Sequence, residues 1–289
     1  MRLSISGFIR MNSAIYSFIS SRLSGIYTFS FNDLILYLNE RYFLQLPSVN
    51  IISLHGNDLS LLEIDARRIF WPTTMSYADL SWLFGEVYAP WSGNPSSYNH
   101  PALEIGKAKW IVDAGACEGF FSLFALEQGV QRVVAVEPLE PLWLALRNTF
   151  SEQCEAGRFA LFEGALGKAI GMAHLRLDPL HACDACVVPT DTGQSVTVTT
   201  LDELGDCFGL ETEGIIKMDI EGAEMDALRG ATRLLREYKP KLAVSVYHGY
   251  DNASLCAKII KTANPSYTIE FRGMYGWLSP PRPYMLIAW

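Results

Sequence analysis

The fold is decided by residues 112–121, which read Val-Asp-Ala-Gly-Ala-Cys-Glu-Gly-Phe-Phe. The apolar run 111–114 predicts a buried strand, and residues 120–128 predict a helix. Gly115 and Gly119 lie between them, and glycine permits both a tight strand-to-helix turn and the close approach of a ligand. The spacing Gly-x-x-x-Gly differs from the Gly-x-Gly-x-x-Gly of dinucleotide sites, where bare backbone N–H groups hold a pyrophosphate.

The alternation of strands and helices continues beyond this turn. Further strands are predicted at 133–137, 159–163, 215–219, 242–246, 267–271 and 284–288, and helices at 141–150, 223–237 and 253–263. Residues 172–177 and 196–200 predict a hairpin or added strands around a polar loop. The pattern predicts an α/β fold with a doubly wound, mostly parallel, Rossmann-like sheet. Ligands of such sheets bind at the carboxyl ends of the strands, so the residues after each strand are candidates for the site.

Acidic residues occupy those strand ends. S-adenosylmethionine has no phosphate but carries an ammonium and a sulfonium, so Asp113 suits its cationic end, directly or through water. Glu137, 24 residues later, can accept hydrogen bonds from both ribose hydroxyls, and segment 163–165 can bind the adenine edge. The predicted cofactor-binding residues are Asp113, Gly115, Ala116, Glu118, Gly119, Glu137, Pro138, Gly164, Ala165 and Asp219.

Two later strand ends predict the catalytic residues. Asp219 closes a buried strand beside the expected sulfonium, and His248 could remove a proton from an acceptor hydroxyl; a purely structural role for His248 fits the sequence equally well. Glu221 and Glu224 fall at a helix start, where acids are favoured by the helix dipole. Asp219, Glu221 and Glu224 could also hold a divalent cation, since hard cations prefer carboxylates, but the sequence assigns no metal.

These segments together resemble the FkbM-type methyltransferase family. The resemblance runs from about residue 108 to 250 and is carried by residues 112–119, 136–138, 165–167, 200–204 and 217–224 and by the strand before His248. It implies a class I methyltransferase fold, S-adenosylmethionine as cofactor, and usually O-methylation of a sugar, a glycolipid or a secondary metabolite. The family often has Asn where this chain has Cys117. An NAD-type oxidoreductase and a non-catalytic binding module are the alternatives on the same fold.

The composition is that of a folded protein with a large hydrophobic core. Of the 289 residues, 49% are hydrophobic and 19% are charged. Its net charge of −8 argues against nucleic acid as a partner. The six cysteines do not form a disulfide framework and fit a reducing, cytoplasmic compartment. Three possible zinc ligands lie close together in the sequence, at His181, Cys183 and Cys186. No second Cys-x-x-Cys accompanies them, so their role stays open. The sequence is also compatible with a homo-oligomer.

Residues 1–107 are predicted to form an N-terminal helical and aromatic cap or acceptor region, and 108–289 the catalytic domain. Residues 1–48 have a helical pattern, with Asn32 or Asp33 as the cap of a helix through residue 39. Strands are predicted at 51–54 and 60–71. Among the aromatic residues of segment 70–100, the candidates for contact with the acceptor are Trp82, Tyr88 and Trp91.

The first 32 residues contain three arginines and no acidic residue. Apolar side chains recur through this segment at a helical spacing, at Ile5, Phe8, Ile9, Ile15, Phe18 and Ile19. A basic amphipathic helix of this kind can lie on a membrane surface, which predicts peripheral membrane contact through residues 1–27. Packing of the helix on its own domain or on a partner subunit is the alternative. No run of 18 uncharged apolar residues exists, so no transmembrane helix is predicted.

Overall fold

A computed structural model describes residues 5–25, 27–39, 47–55, 58–176, 186–188, 194–275 and 281–289. The strands are β1 Asn50–His55, β2 Leu59–Ile64, β3 Arg67–Pro72, β4 Trp110–Ala114, β5 Arg132–Glu137, β6 Phe159–Glu163, β7 Ala165–Leu166, β8 Gly171–Arg176, β9 Cys186–Val188, β10 Gln194–Thr199, β11 Gly214–Met218, β12 Lys241–Ser245, β13 Ile269–Tyr275 and β14 Arg282–Ala288.

The helices are α1 Ile5–Ser24, α2 Phe31–Asn39, α3 Leu80–Tyr88, α4 Phe120–Glu127, α5 Glu140–Thr149, α6 Ser151–Glu155, α7 Leu201–Phe208, α8 Glu224–Arg229, α9 Thr232–Glu237 and α10 Asn252–Ala263, with 3₁₀ turns at Trp91–Gly93, Pro101–Leu103 and Ile105–Lys107. Among the helices described, none has the length and apolar character needed to cross a bilayer.

The main sheet has the strand order β13-β14-β12-β11-β4-β5-β6. The five strands from β12 to β6 are parallel. β14 pairs antiparallel with β12, and β13 pairs antiparallel with β14, so β14 runs opposite to the other six strands of this sheet. This arrangement confirms the predicted α/β fold with a mostly parallel sheet. The strand order reverses between β4 and β11, so the carboxyl ends of these two strands border the crevice where such sheets bind ligands.

Successive side chains along each strand point to opposite faces of the main sheet, and both faces are buried. Ile111, Val133 and Ala135 belong to the core on one face, while Val112 and Val134 belong to the core on the other. The first core also contains residues of β2, β3 and α3, among them Trp71 and Phe84. The aromatic N-terminal region therefore packs directly on the sheet face that carries α4. Whether residue 107 divides the chain into two domains stays a prediction.

Two smaller sheets flank the main one. The sheet β7-β10-β8-β9 contains the antiparallel pair β8–β10, which confirms the predicted hairpin strands. The sheet β1-β2-β3 corrects the prediction of one strand over 60–71, because the chain reverses at Asp65 and Ala66. Both residues have positive φ, 48° and 63°, as a two-residue hairpin turn requires.

Two helix predictions also need correction. The helix predicted over 223–237 is divided into α8 and α9 at Gly230, where a Cβ atom would lie 2.2 Å from the Gly167 carbonyl oxygen. Helix α2 is capped by Ser30 and not by Asn32 or Asp33. The Asp33 backbone N–H donates to Ser30 Oγ (3.1 Å), and the Ser30 N–H donates to Asp33 Oδ2 (2.8 Å). This reciprocal pair is a capping box with an aspartate in the third position.

Candidate functional site

The glycine turn after β4 is shaped by its close contact with the end of β11. Gly115 has a φ of 75°, and a Cβ atom there would lie 1.8 Å from the Asp219 carbonyl oxygen. Gly119 has a φ of 86°, and a Cβ atom there would lie 2.7 Å from the Phe150 ring. Glycine is therefore required at both positions by conformation and by space. The contact between Gly115 and Asp219 holds the two strand ends together.

Glu137 at the end of β5 ties this turn to the next one. Its Oε2 accepts the Cys117 backbone N–H (2.9 Å) and its Oε1 accepts the Leu139 N–H (2.8 Å). Burial raises the pKa of Glu137 to about 7, although both backbone hydrogen bonds lower it. Each carboxylate oxygen retains a further lone pair, so the group can still accept hydrogen bonds from a ligand.

A smaller cavity lies beside Glu137. Six predicted cofactor-binding residues line it, namely Gly115, Glu137, Pro138, Gly164, Ala165 and Asp219. Leu139, Leu142, Leu166 and Ile220 give it apolar walls. The strand-end residues that the sequence predicted as one site therefore do come together, around a slot with an acidic edge.

A larger cavity of about 450 Å³ adjoins the first, and Gly115, Cys117, Asp219 and Glu221 line both. The predicted residues Ala116 and Glu118 line the larger cavity alone. Its aromatic lining consists of Trp71, Trp82, Tyr98, Phe121, Tyr247, Tyr275 and Tyr284, and its charged lining of Asp79, Glu86, Glu118, Lys217, Asp219 and Glu221. Gly119 and Asp113 line neither cavity.

Asp113 is buried beneath the glycine turn, and its predicted contact with the cofactor stays a prediction. It is fully buried, its Oδ1 lies 3.0 Å from Lys217 Nζ, and its Oδ2 accepts the Ser122 hydroxyl (2.7 Å). Lys217 also donates to the Gly115 carbonyl oxygen (2.6 Å). Burial alone would lower the pKa of Lys217, but Asp113 and Asp219 raise it above its usual value. Asp113 thus holds a cation under the glycine turn.

Asp219 lies where the two cavities meet. Its Oδ2 accepts the Tyr98 hydroxyl (2.8 Å), and its backbone N–H donates to the Ala114 carbonyl oxygen (3.0 Å). Its Oδ1 lies 3.5 Å from His248 Nε2. Sequence reasoning identified Asp219 and His248 but missed Tyr98, which no local motif marks.

His248 is surrounded by carboxylates. Its Nδ1 lies 3.1 Å from Glu224 Oε1, and its Nε2 lies 3.3 Å from Glu221 Oε2. Burial lowers the pKa of His248, but Glu221, Glu224 and Asp219 outweigh burial and raise the pKa to about 11. The imidazole is therefore protonated at neutral pH. An imidazolium has no free lone pair with which to accept a proton, so the surrounding carboxylates weigh against the predicted role of His248 as proton acceptor, which stays a prediction.

Glu224 anchors the turn that places these groups. Its Oε1 accepts the backbone N–H groups of Ile220 (3.1 Å) and Gly222 (3.2 Å), which supports the capping interpretation. The donor atoms of Asp219, Glu224 and His248 lie within 4.8 Å of one another and could hold one cation. A cation there would need His248 in its neutral form, and whether the site holds a metal stays a prediction.

The three aromatic residues predicted to contact the acceptor occupy different surroundings. Trp82 lines the larger cavity. Tyr88 instead stacks on Phe84 at 4.4 Å between ring centroids, and Trp91 lies under the Arg272 guanidinium at 4.6 Å. Tyrosines from distant segments line the cavity in their place. The proposed zinc ligands His181 and Cys183 lie outside the described residues, as does the side chain of Cys186.

The sequence model of the methyltransferase FkbM domain matches residues 113–267, which are 155 of the 289 residues. No curated protein sequence matches the chain significantly.

Solved structures of methyltransferases are similar to this chain. Methyltransferase FkbM from Methylobacillus flagellatus KT is 28% identical with a TM-score of 0.47, and the match covers 63% of this chain and 43% of that one. The chain thus spans less than half the length of that protein. Precorrin-6y C5,15-methyltransferase from Geobacter metallireducens GS-15 is 13% identical (TM-score 0.36; 65% and 85% covered). Ribosomal protein L11 methylase from Lactobacillus delbrueckii subsp. bulgaricus is 12% identical (TM-score 0.36; 65% and 74% covered).

Proposed function

The chain belongs to the FkbM methyltransferase family, and from that premise we propose that it transfers a methyl group from S-adenosylmethionine to a hydroxyl of a small-molecule, sugar or lipid-linked acceptor. The observation that carries the proposal is the meeting of two unlike cavities at Asp219. One is a narrow apolar slot with an acidic edge, and the other is a wide aromatic cavity. A methyl group can pass between two bound molecules only where their sites join.

The smaller cavity suits the adenosine part of the cofactor. Glu137 has lone pairs available for the ribose hydroxyls, and Leu139, Leu142 and Ile220 suit the faces of a purine. The methionine part would extend over Gly115 into the larger cavity, toward Glu118. The bound cofactor supplies a methyl group activated by a positively charged sulfur. The chain's own residues bind it, orient the acceptor and exclude water.

The larger cavity suits a polyhydroxylated or apolar acceptor. Faces of Trp82, Tyr247 and Tyr284 offer stacking surfaces, and carboxylates such as Glu86 can accept hydrogen bonds from hydroxyl groups. The acidic lining disfavours phosphorylated or carboxylated acceptors because like charges repel. These features support a neutral sugar, glycolipid or secondary metabolite.

Cofactor choice is the first test of the proposal. Thermal denaturation with S-adenosylmethionine, S-adenosylhomocysteine and NAD should show stabilisation by the first two ligands. A screen of candidate acceptors with methyl-labelled cofactor would then identify the acceptor and the methylated atom. Stabilisation by NAD alone would overturn the proposal in favour of an oxidoreductase, and cofactor binding without transfer to any acceptor would favour a binding module.

A Glu137→Ala variant is expected to bind S-adenosylhomocysteine about tenfold or more weakly without unfolding, because hydrogen bonds to a charged group contribute about 1.5–3 kcal/mol. Calorimetric titration measures the affinity. Glu237→Gln is the control, since Glu237 is exposed on α9, pairs with Arg236 and lines neither cavity. Equal affinity in the wild type and Glu137→Ala would show that the ribose assignment is wrong.

We further propose that the N-terminal helices bind an anionic membrane surface. Phe29, Leu34 and Tyr37 face a small core with Met274, but the opposite side of α1 and α2 exposes large apolar residues. These are Ile15, Tyr16, Ile19, Leu23, Phe31, Ile35 and Leu38, and Leu23 is 82% exposed. Of the stripe predicted from sequence, Ile15 and Ile19 are exposed while Phe18 packs on the small core; the side chains of Ile5, Phe8 and Ile9 lie outside the description.

Charge favours a membrane over a second copy of the chain as the occupant of this face. Residues 1–32 carry a charge of +3, so the remaining 257 residues carry −11, given the total of −8. An anionic bilayer attracts the first part and repels the second, which orients the protein. The packed side of α2 lies beside β13, because the Gly273 N–H donates to Asp33 Oδ1 (2.9 Å), and Tyr275, two residues on, lines the larger cavity.

The double variant Ile19→Glu/Leu23→Glu is expected to lose at least tenfold in binding to phosphatidylglycerol vesicles, since it removes apolar area and adds negative charge. Co-sedimentation measures binding, with phosphatidylcholine vesicles as the neutral comparison. Leu144→Glu, at an equally exposed apolar position on α5, is the control. Unchanged vesicle binding would overturn the membrane proposal, as would a wild-type dimer that the double variant converts to a monomer.

A further inference from the structure

The larger cavity contains a carboxyl group that sequence reasoning did not identify. Glu86 reaches it from α3, in the aromatic N-terminal region. The Tyr284 hydroxyl donates to Glu86 Oε1 (3.2 Å), and the Trp82 side chain also hydrogen-bonds the carboxyl group. The Glu86 backbone carbonyl accepts the Asn94 amide (3.0 Å), which fixes the end of the helix. Glu86 is thus held by neutral donors at a defined place in the cavity.

The electrostatic surroundings of Glu86 differ from those of Asp113 and Asp219. Asp113 pairs with Lys217, and Asp219 lies beside the His248 imidazolium. Glu86 contacts a phenol and an indole and faces the negative charges of Asp219 and Glu118, with Tyr98 and Tyr247 also nearby. Burial first, and then Asp219, raises the pKa of Glu86 to about 8. Glu86 is therefore more basic than an ordinary carboxylate.

O-methylation releases a proton, and the groups beside Asp219 are poorly suited to accept it. The carboxylates around His248 favour its protonated form, and its Nε2 lies 3.5 Å from Asp219 Oδ1. We infer that Glu86 accepts the proton of the acceptor hydroxyl, an inference that rests on the proposed O-methyltransferase function. The acceptor oxygen forms a bond to the methyl carbon, the carbon–sulfur bond breaks with its electron pair left on sulfur, and the hydroxyl proton passes to a Glu86 oxygen.

The cofactor's charge should control the protonation of Glu86. S-adenosylmethionine brings a positive sulfur into the junction of the cavities, and a nearby positive charge lowers the pKa of a carboxyl group. S-adenosylhomocysteine has a neutral sulfur and otherwise the same groups. Binding of the methyl donor should therefore release a proton from Glu86, whereas binding of the demethylated product should not.

The test compares proton release for the two cofactor forms. Calorimetric titrations at pH 7 in phosphate and in Tris, whose ionisation enthalpies differ, give the number of protons released per bound ligand. The wild type is expected to release up to about one proton more with S-adenosylmethionine than with S-adenosylhomocysteine. Glu137 lies at the ribose position, so any proton that it releases should be the same for both cofactor forms and should not affect the difference between them. Glu86→Gln should lose the difference, and Glu237→Gln, at an exposed position that lines neither cavity, should retain it.

Once the screen has identified an acceptor, turnover gives a second readout. Glu86→Gln is expected to lose about 10²–10⁴-fold in kcat, the usual contribution of a general base, with S-adenosylhomocysteine affinity within about twofold of the wild type. Glu86→Asp should retain part of the activity. The rise of kcat/KM with pH should be absent in Glu86→Gln. If Glu86→Gln does not fold, Tyr284→Phe should instead move that rise to higher pH, because it removes a hydrogen bond to the carboxylate.

The outcomes separate the two proposals. Absence of binding by either cofactor form would overturn the methyltransferase proposal. Cofactor binding with equal proton release for both forms in the wild type would overturn only the role of Glu86. A difference that persists in Glu86→Gln would overturn the role of Glu86 and assign the proton to another group, such as Glu118. A large loss of S-adenosylhomocysteine affinity in Glu86→Gln would assign Glu86 to the ammonium of the cofactor.

Discussion

An Asp219→Asn variant is expected to bind S-adenosylhomocysteine within about threefold of the wild type and to turn over about 10²-fold more slowly, the typical cost of misplaced reacting groups or a lost electrostatic contact. Asp219 lies at the junction of the two cavities, where its oxygens contact Tyr98 and His248. The amide keeps the shape of the side chain but removes its charge. The backbone of Asp219, which packs on Gly115, is unaffected, so the cofactor slot should persist.

The affinities for S-adenosylmethionine and S-adenosylhomocysteine give a second test of the role of Asp219. The wild type should favour S-adenosylmethionine through the attraction of Asp219 for the sulfonium, and Asp219→Asn should reduce that preference. Asp226→Asn, on the next helix and exposed beside Arg229, is the control and should behave as the wild type. Equal losses in affinity for both cofactor forms would make Asp219 a structural residue. Turnover equal to that of the wild type would place the reaction elsewhere in the cavity.

The parts of the site that follow from sequence are those fixed by local chemistry. Gly115 and Gly119 mark a turn that other residues could not adopt, and Glu137 ends an apolar strand whose direction places it at the ligand edge of the sheet. Each signal lies within a few residues of the structure it determines. Their order along the chain then fixes their neighbours in space, because parallel strands joined by helices have few allowed arrangements.

The parts that could not be predicted depend on contacts between distant segments. Lys217 is a charged residue within the apolar run before Asp219. No pattern in the neighbouring sequence identifies Asp113 as its partner. Glu86 and Tyr284 are 198 residues apart in the chain. The charge of His248 likewise results from three carboxylates that surround it only after folding, so the residue could be located from sequence while its chemical role could not.

The β2–β3 hairpin was missed for a different reason. Both turn residues have positive φ, a conformation in which hairpins usually have Asn-Gly or Asp-Gly. The chain has Asp65 followed by Ala66. Alanine is not typical of such turns, so the sequence predicts one continuous strand over residues 60–71.

The unliganded protein is expected to be more stable at pH 6 than at pH 9. Unfolded His248 has a pKa near 6.5, whereas the folded value is about 11, so its stabilising contribution is complete below pH 6.5 and is lost as the pH rises toward 11. Glu137 and Glu86 act in the same direction, because their folded pKa values of about 7 and about 8 exceed the usual 4.5. Unfolding therefore releases protons, and each proton released lowers the free energy of unfolding by about 1.4 kcal/mol per pH unit.

His248→Gln isolates the largest of these contributions. The variant leaves Asp219, Glu221 and Glu224 close together without the imidazolium, and removing one partner of a buried ion pair costs about 3–5 kcal/mol. Urea unfolding between pH 6 and pH 9 should show lower stability and a shallower dependence on pH than in the wild type, whereas His174→Gln, on β8 and away from this cluster, should change neither. A pH dependence identical to that of the wild type would mean that folded His248 is neutral. In that case the imidazole would be free to accept a proton, and Glu86 would no longer be the more suitable base.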